Sequence, residues 1–328
     1  MRTAVSGSIA TDHLMAFPGS FKDQLLPDRL DTLSLSFLVD ELEIRHGGVA
    51  ANIAYGLGSL GLAPVLVGAA GTDFDDYRIR LKRYGVDTHA VHISAERRTA
   101  RFVCLTDREQ NQIASFYSGA MAEAADIDLR TVVDRAGDVG IVLVSPNDPA
   151  AMLRHTAQAR ALGIPFAADP SQQLARVDRE QARELVTGAR WLFTNAYEAA
   201  LLEERTGWSH DAILARVGTW LTTLGAGGVR VEAAGEPART VPAVVPRAIA
   251  DPTGAGDAFR AGFLAGVSWG EDLDVSARLG CALASFALEG LGAQGYTLVP
   301  DALTLRLATA YGTAPAAAVA RHLELLRP

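Results

Sequence analysis

The residues best suited to chemistry lie in Asp251–Leu264, DPTGAGDAFRAGFL. Gly254, Ala255 and Gly256 put small side chains at the start of an apolar pattern, Ala258–Gly266, that reads as a buried helix. The first N–H groups of a helix have no intrahelical acceptor, and small residues let a phosphate approach them, so the turn is a candidate anion site. Asp257 follows at once. A carboxylate beside a phosphate repels it, which is wrong for simple anion binding. It suits a site where a hydroxyl must be oriented and relieved of its proton as it attacks phosphorus. Read structurally, the same residues are a capped glycine turn whose first-turn acid stabilises the helix by about 0.3–1 kcal/mol. Spacing alone leaves both readings open.

Other routes to phosphate chemistry are absent. No GxxxxGK[ST] loop occurs, and Lys22 and Lys82 are the only lysines, so no P-loop lysine is available. The first strand is not followed by GxGxxG, which weakens a dinucleotide-binding reading.

The elements that must position these residues alternate. Thr3–Ile9, Val65–Gly68, Ile141–Val144, Pro165–Ala168, Trp191–Thr194, Trp220–Leu224 and Val229–Glu232 read as buried strands. Helical patterns at Val49–Leu60, Ala150–Leu162, Arg179–Thr187 and Ala196–Thr206 fall between many of them, and Ala302–Leu326 reads as terminal helices. The alternation predicts an α/β fold with a mainly parallel sheet covered on both faces. Thr32–Ile44 and Thr99–Phe116 break the rhythm by alternating apolar with polar residues, the second turning at Asp107–Asn111. They predict a small antiparallel lid. The expected division is a core of residues 1–12, 46–90 and 119–328 and a lid of 13–45 and 91–118.

Composition bounds the function. The 328 residues carry 38 acidic against 30 basic side chains and no basic tract, which argues against a nucleic-acid partner. No apolar run reaches the roughly 20 residues of a membrane span, and the first residues lack a secretory pattern, so the expected location is the cytoplasm. Cys104 and Cys281 sit in apolar stretches and read as reduced core thiols.

DPTGAGDAFRAGFL resembles the C-terminal signature of the ribokinase-like (PfkB) carbohydrate and nucleoside kinases along its whole length. Gly47-Gly48 with Asn52 is similar to the family's N-terminal glycine pair. In SGSIATDHL, LSLSFLVD, ADPSQQLAR and TDREQNQIASFYSGAM the chain looks most like bacterial adenosine kinases of actinomycete type. The resemblance spans nearly the whole chain. It implies a ribokinase-like three-layer α/β core with a small β-sheet lid, ATP and Mg²⁺ as cofactors, and phosphorylation of adenosine at its 5′-hydroxyl.

By that resemblance Asp257 is the base, and the amides of Gly254, Ala255 and Gly256 form the anion hole, where one donor is worth about 3–4 kcal/mol. A helix N-terminus should hold the Asp257 pKa low, so the proton is expected to move late, after the bond to the leaving oxygen has largely broken. Asp12, with Ser8, Gly48 and Asn52, is placed at the ribose; taken alone, Asp12 also reads as a cap. Phe102 and Phe116 could flank a purine, although each also reads as sheet core. The Gln172 and Gln173 carboxamides complement an adenine edge. Ser36 and Arg176 fall in matching stretches, and Arg176 also reads as a surface residue. Asn195 and Glu198 reproduce NxxE, with Glu198 organising Mg²⁺ commonly through water. Thr223, Gly225 and Gly228 match a TxGxxG nucleotide loop.

Kinases of another nucleoside or of a small sugar, and a silent nucleoside sensor, are the alternatives. A homodimer through the lid is expected, with Leu33, Leu35, Phe37 and Val39 offering an apolar face.

Overall fold

The computed structural model describes residues 1–25, 32 and 34–324. Among these, β1 (Arg2–Ser6), β4 (Val65–Gly71), β5 (Val91–Ser94), β8 (Val139–Val144), β9 (Phe166–Ala168), β10 (Trp191–Asn195) and β11 (Thr219–Thr223) run parallel in one sheet. β12 (Val229–Glu232) and β13 (Arg239–Val241) extend it antiparallel, in the order β13-β12-β11-β10-β9-β8-β1-β4-β5.

Every residue of β4, VLVGAAG, is buried, because both faces of the sheet are covered and a two-faced strand needs no polar alternation. Val5, Leu66, Leu143, Phe193 and Leu221 face one layer, built from α1 (Val49–Ser59), α2 (Asp75–Arg83), α8 (Ala255–Trp269), α9 (Leu273–Glu289), α10 (Pro300–Tyr311) and α11 (Thr313–Leu323). Ala4, Val67, Val142, Leu192 and Trp220 face the other, built from α3 (Leu129–Ala136), α4 (Pro149–Ala161), α5 (Arg179–Val186), α6 (Ala196–Thr206) and α7 (His210–Leu214). This is the expected three-layer architecture. The expected strands and helices are found with small shifts at their ends, the first strand stopping at Ser6. α9 has no counterpart among the expected helices, because its Ala, Gly and Ser content blurs the helical period.

The second sheet contains β2 (Ala10–Ala16), β3 (Glu41–Gly47), β6 (Ala100–Thr106) and β7 (Gln112–Tyr117), in the order β3-β2-β6-β7. β6 and β7 form the expected hairpin, and the Asp107 carboxylate accepts the N–H groups of Phe21, Glu109 and Asn111 at its turn. The Thr32–Ile44 expectation needs correcting. Residues 34–40 form no strand, since Phe37 instead packs edge-on against Phe17 and Phe21, with centroids 5.0 and 5.2 Å apart. Leu33 and the end of the Ala302–Leu326 stretch lie outside the described residues. β3 pairs with β2, whose central Asp12 and His13 hid its strand character in the sequence.

Strand pairing therefore starts the small sheet at Ala10 rather than residue 13, carries β3 to Gly47, and assigns Val91–Ser94 to the large sheet. Its outward apolar side is not the Leu35, Phe37 and Val39 stretch. It is formed by exposed Leu42 and Ile44 on β3 and Ile113 and Tyr117 on β7, on the face opposite Asp12.

Among the buried bonds that tie α1 to the C-terminal part of the chain, the Tyr55 hydroxyl donates to the Tyr296 carbonyl at 2.5 Å. Tyr55→Phe leaves that carbonyl unpaired and should cost about 1–2 kcal/mol of stability. The denaturant midpoint measures this, and an unchanged midpoint would show that the bond contributes nothing.

Candidate active site

The parallel strands β1, β9, β10 and β11 end on one edge of the large sheet, where α1, α6 and α8 begin, the usual position for ligands in open α/β sheets. α8 starts at the glycine turn. Gly254, its N-cap, has φ +80°, and a Cβ there would lie 2.4 Å from that of Ala293, so the turn requires glycine twice over. No side chain caps this helix, but the Ala255 N–H turns back to the Pro252 carbonyl at 3.3 Å, so an anion at this turn would compete with that bond for one of its amides. Asp251 fixes the turn from behind. It accepts the Thr253 N–H at 2.9 Å and the Gly292 N–H at 2.8 Å, and pairs with Arg45 of β3 at 2.9 Å.

Asp257 projects from the first turn of α8 into a hydrogen-bonded chain. Asn52 Nδ2 donates to its Oδ2 at 2.8 Å, Gln294 Nε2 donates to Asn52 Oδ1 at 2.9 Å and also to the Tyr77 hydroxyl, and that hydroxyl donates to the Gly47 carbonyl at 3.0 Å. The amide of Asn52 is thereby held with its NH₂ toward Asp257. Ser8 supports the same helix from below, its hydroxyl accepting the Val49 N–H at 3.0 Å, and Gly48 at the helix start has φ +91°.

The expected low pKa of Asp257 is overturned. Burial pushes the carboxyl up to about 6; Arg260 and the Asn52 bond pull it down, while Glu198 and Asp12 add repulsion. Desolvation outweighs the helix terminus, so Asp257 is a stronger base than an ordinary aspartate.

Arg260, one turn along α8, and Asp169, just after β9, both interact electrostatically with Asp257 and were missed by motif reading. They form a buried ion pair at 2.6 Å, Arg260 only 6% and Asp169 only 1% exposed. Arg260 Nη1 also donates to the Gly256 carbonyl at 3.0 Å. Asp169 is pushed up to about 7 by burial, against the pull of Arg260. The available signal was a single arginine inside the apolar run AFRAGFLAG, since a buried cation demands a buried acid.

The small sheet contributes a second set. Asp12 lies opposite Arg45 on one side and Phe102 on the other, and Phe102 lies opposite Phe116. Cross-strand partners share a face, so one carboxylate and two aromatic rings form a row. Phe116 is 51% exposed, which excludes the sheet-core reading for it. Burial raises the Asp12 pKa, with Arg45 opposing.

Asn195 and Glu198 form a capping box at the start of α6, and Glu198 also accepts from Ser171 at 3.0 Å. Thr223 is the register neighbour of Asn195 on β11 and leads into the glycine loop, where Gly225 has φ +57° and Gly228 φ +88°. A Cβ at Gly228 would lie 2.0 Å from the Val241 carbonyl oxygen. Gln173 is buried with its side-chain carbonyl unpartnered, while Gln172 is exposed and accepts from Ser171. Ser36 and Arg176 are exposed and take no part in the bonded network around Asp257. Among the described residues no group of three or more His, Cys, Asp or Glu could cage a metal. A Mg²⁺ carried on phosphates and water, with one nearby carboxylate, fits this donor set, whereas an all-protein site does not.

A family model for the pfkB carbohydrate kinases matches residues 12–300. The chain belongs to the PfkB family. The nucleoside kinase of Methanothermobacter thermautotrophicus is 32% identical over 285 residues, which cover 84% of this PfkB chain and 87% of that protein. The structure of Burkholderia thailandensis nucleoside kinase in complex with inosine has a TM-score of 0.82 at 32% identity, covering 94% of this chain and 98% of the other. The same kinase in complex with ADP-inosine gives 0.80 at 33% identity, covering 94% and 96%. The PfkB fold here is thus ribokinase-like, a large mostly parallel sheet with a smaller separate one. Among the described residues no helix is long and apolar enough to cross a membrane.

The raised pKa of Asp257 carries a stability prediction. A carboxyl raised from 3.8 to about 6 contributes stability that is complete below pH 3.8 and is lost as pH rises through 6. Asp257→Asn never ionises and should be more stable than the parent at pH 8, on the order of 2 kcal/mol and a few degrees in Tm, the gap closing toward pH 4. Thermal melts across that range test it; a gap that is constant with pH would reject the raised pKa.

Proposed function

We propose that this PfkB kinase transfers the γ-phosphoryl group of ATP to the 5′-hydroxyl of a purine nucleoside, with adenosine the first candidate, giving AMP and ADP. The observation that carries the reading is the row Asp12, Phe102 and Phe116 on the small sheet, joined to the anion turn bearing Asp257 through the Arg45–Asp251 ion pair. A carboxylate that accepts from two vicinal hydroxyls suits a ribose, and two rings in line suit a flat base.

In this mechanism the amides of Gly254, Ala255 and Gly256 receive the charge of the transferring group, whose loose transition state asks for electrostatic stabilisation more than for bond-making. Asp257, with a pKa near 6, is ionised at neutral pH and accepts the hydroxyl proton, while Asn52 fixes its orientation. Ser8 and Gly48 set the start of α1 beside the ribose. Gln173, with a free carbonyl, and Gln172 are assigned to the base edge. Ser36 and Arg176 are assigned to the periphery, where a closing small sheet would bring them nearer. Thr223, Gly225 and Gly228 are assigned to ATP, with Asn195 beside them. Glu198 would hold Mg²⁺ through water, and the bound ion would supply charge neutralisation to the phosphates.

The inosine in the Burkholderia complex favours a second reading, a hypoxanthine nucleoside as acceptor. Side-by-side phosphorylation of adenosine, inosine, guanosine and ribose decides. Best turnover of ribose or another sugar would remove the roles given to Phe102, Phe116, Gln172 and Gln173. Asp257→Asn should keep nucleoside binding and lose at least about 10³-fold in turnover, which also separates a kinase from a silent nucleoside sensor.

We further infer a homodimer through the outward face of the small sheet, supported by the exposed Leu42, Ile44, Ile113 and Tyr117. Light scattering should give twice the chain mass, and Ile44→Glu with Ile113→Lys should halve it. A monomeric parent would refute this.

A further inference from the structure

Among the charged groups near Asp257, one cation is buried against the reacting turn itself. Arg260 lies one turn beyond Gly256 on α8, and three contacts fix its guanidinium. Nη2 pairs with Asp169 Oδ1 at 2.6 Å, Nη1 donates to the Gly256 carbonyl at 3.0 Å, and Cζ stands 5.6 Å from the centre of the Phe193 ring. Asp169 is anchored in turn by the end of β9, its N–H bonded to the Val144 carbonyl at 2.9 Å. The chain of contacts runs from the sheet edge through a carboxylate and a guanidinium to the carbonyl of a glycine whose amide belongs to the anion turn. A Cβ on Gly256 would sit 2.9 Å from Arg260 Nη1, so the two groups leave no slack between them.

We propose that Arg260, anchored by Asp169, is a positioning residue for phosphoryl transfer. Its fork holds the first turn of α8, and its charge keeps Asp257 in the ionised form that accepts a proton. The proposal rests on the phosphotransfer reading and adds a group that touches neither substrate nor phosphate. A planar fork is needed because one guanidinium must serve the acid and the carbonyl together, a geometry that a lysine ammonium does not reproduce.

The groups around Asp257 set the sign of the effect. Arg260 from α8 is the cation; Asp12 from β2 and Glu198 from α6 are acids that disfavour its ionisation, and Asn52 from α1 donates to it. Asp169 after β9 adds a third neighbouring acid, and the Tyr77 and Tyr296 hydroxyls stay neutral because burial raises both. Against these acids, removal of the buried Arg260 charge drives the Asp257 carboxyl toward its protonated form.

Three variants of the whole protein test the proposal, with nucleoside turnover followed from pH 4.5 to 9. Arg260→Met removes the charge and should move the acidic limb of kcat upward by about one pH unit or more. Arg260→Lys keeps the charge and loses the fork. Its limb should stay within a few tenths of a unit of the parent while kcat falls about 10-fold or more, with the KM for nucleoside unchanged. Asp169→Asn removes an acid and the anchor, so kcat should fall as in the lysine variant and the limb must not rise. An unmoved limb in Arg260→Met, a full kcat in Arg260→Lys, or an upward limb in Asp169→Asn overturns the proposal.

The Asp257 carboxyl titration, followed by ¹³C NMR and assigned with Asp257→Asn, reads the same shift without turnover. A parent that phosphorylates no nucleoside or sugar but shows the NMR shift in Arg260→Met would reject the functional reading while leaving the electrostatic role of Arg260 standing. Circular dichroism establishes that each variant is folded. If Arg260→Met does not fold, the lysine and asparagine variants still decide the matter.

Discussion

The site depends on how much negative charge the sheet edge can gather around one buried guanidinium. Asp257, Asp169, Glu198 and Asp12 all interact electrostatically at the ends of β1, β9 and β10, and Arg260 is the cation buried among them. An unpaired buried carboxylate costs several kcal/mol, and the usual escape is to take up a proton. The pair at 2.6 Å and the bond to Gly256 let the acids coexist, at carboxyl pKa values of about 6 and 7. This keeps the Asp257 carboxyl close to neutrality in its titration while it stands at the start of a helix. The two properties oppose each other in an isolated helix, where the terminus would lower the acid. Burial reverses the sign, which the helix argument alone could not supply.

How much of this was legible in the sequence follows from the range of each interaction. Gly254, Gly256 and Asp257 were readable because a tight turn at a helix start imposes its residue types locally. The buried strands were readable because two covered faces leave only apolar choices, as in Val65–Gly71. β2 was missed for the opposite reason. Its centre carries Asp12 and His13, polar residues that break the apolar alternation a strand should show, and on the proposed reading Asp12 is there to meet the acceptor. Phe37 misled in the same way, since its alternation with neighbours matched a strand while its ring went to Phe17 and Phe21.

Long-range partners were the least visible. Gln294 stands 242 residues from Asn52 and Arg260 stands 91 from Asp169, and no local rule connects either pair. Only Arg260 left a trace, as a charge interrupting an apolar helix. Gln294 left none, although its NH₂ sets which way the Asn52 amide faces and so which atom meets Asp257. The Asn195–Glu198 pair shows a further limit. The same four residues satisfy a capping box and a metal-organising motif, and the bonds made by Glu198 serve the helix start whether or not a metal is near.

The division into two sheets has a physical purpose on the proposed reading. The amides that receive phosphoryl charge must be rigid, and they stand on a helix packed in the core layer. The residues that hold an acceptor must admit it and then exclude water, which a half-exposed sheet can do if it moves as a unit. Arg45 is where the two requirements meet. It lies opposite Asp12 in the small sheet and bonds Asp251 at the base of the glycine turn, while two further nitrogens of its fork bind Glu43 within its own strand. A guanidinium divided in this way links the row that would bind the acceptor to the turn that would bind the phosphoryl group. Displacement of the sheet is therefore felt at Asp251, whose bonds to Thr253 and Gly292 define the turn. Alignment of acceptor and donor would then be a property of one ion pair between sheets, which explains why the residue at the start of the motif, far from the reacting atoms, is an acid.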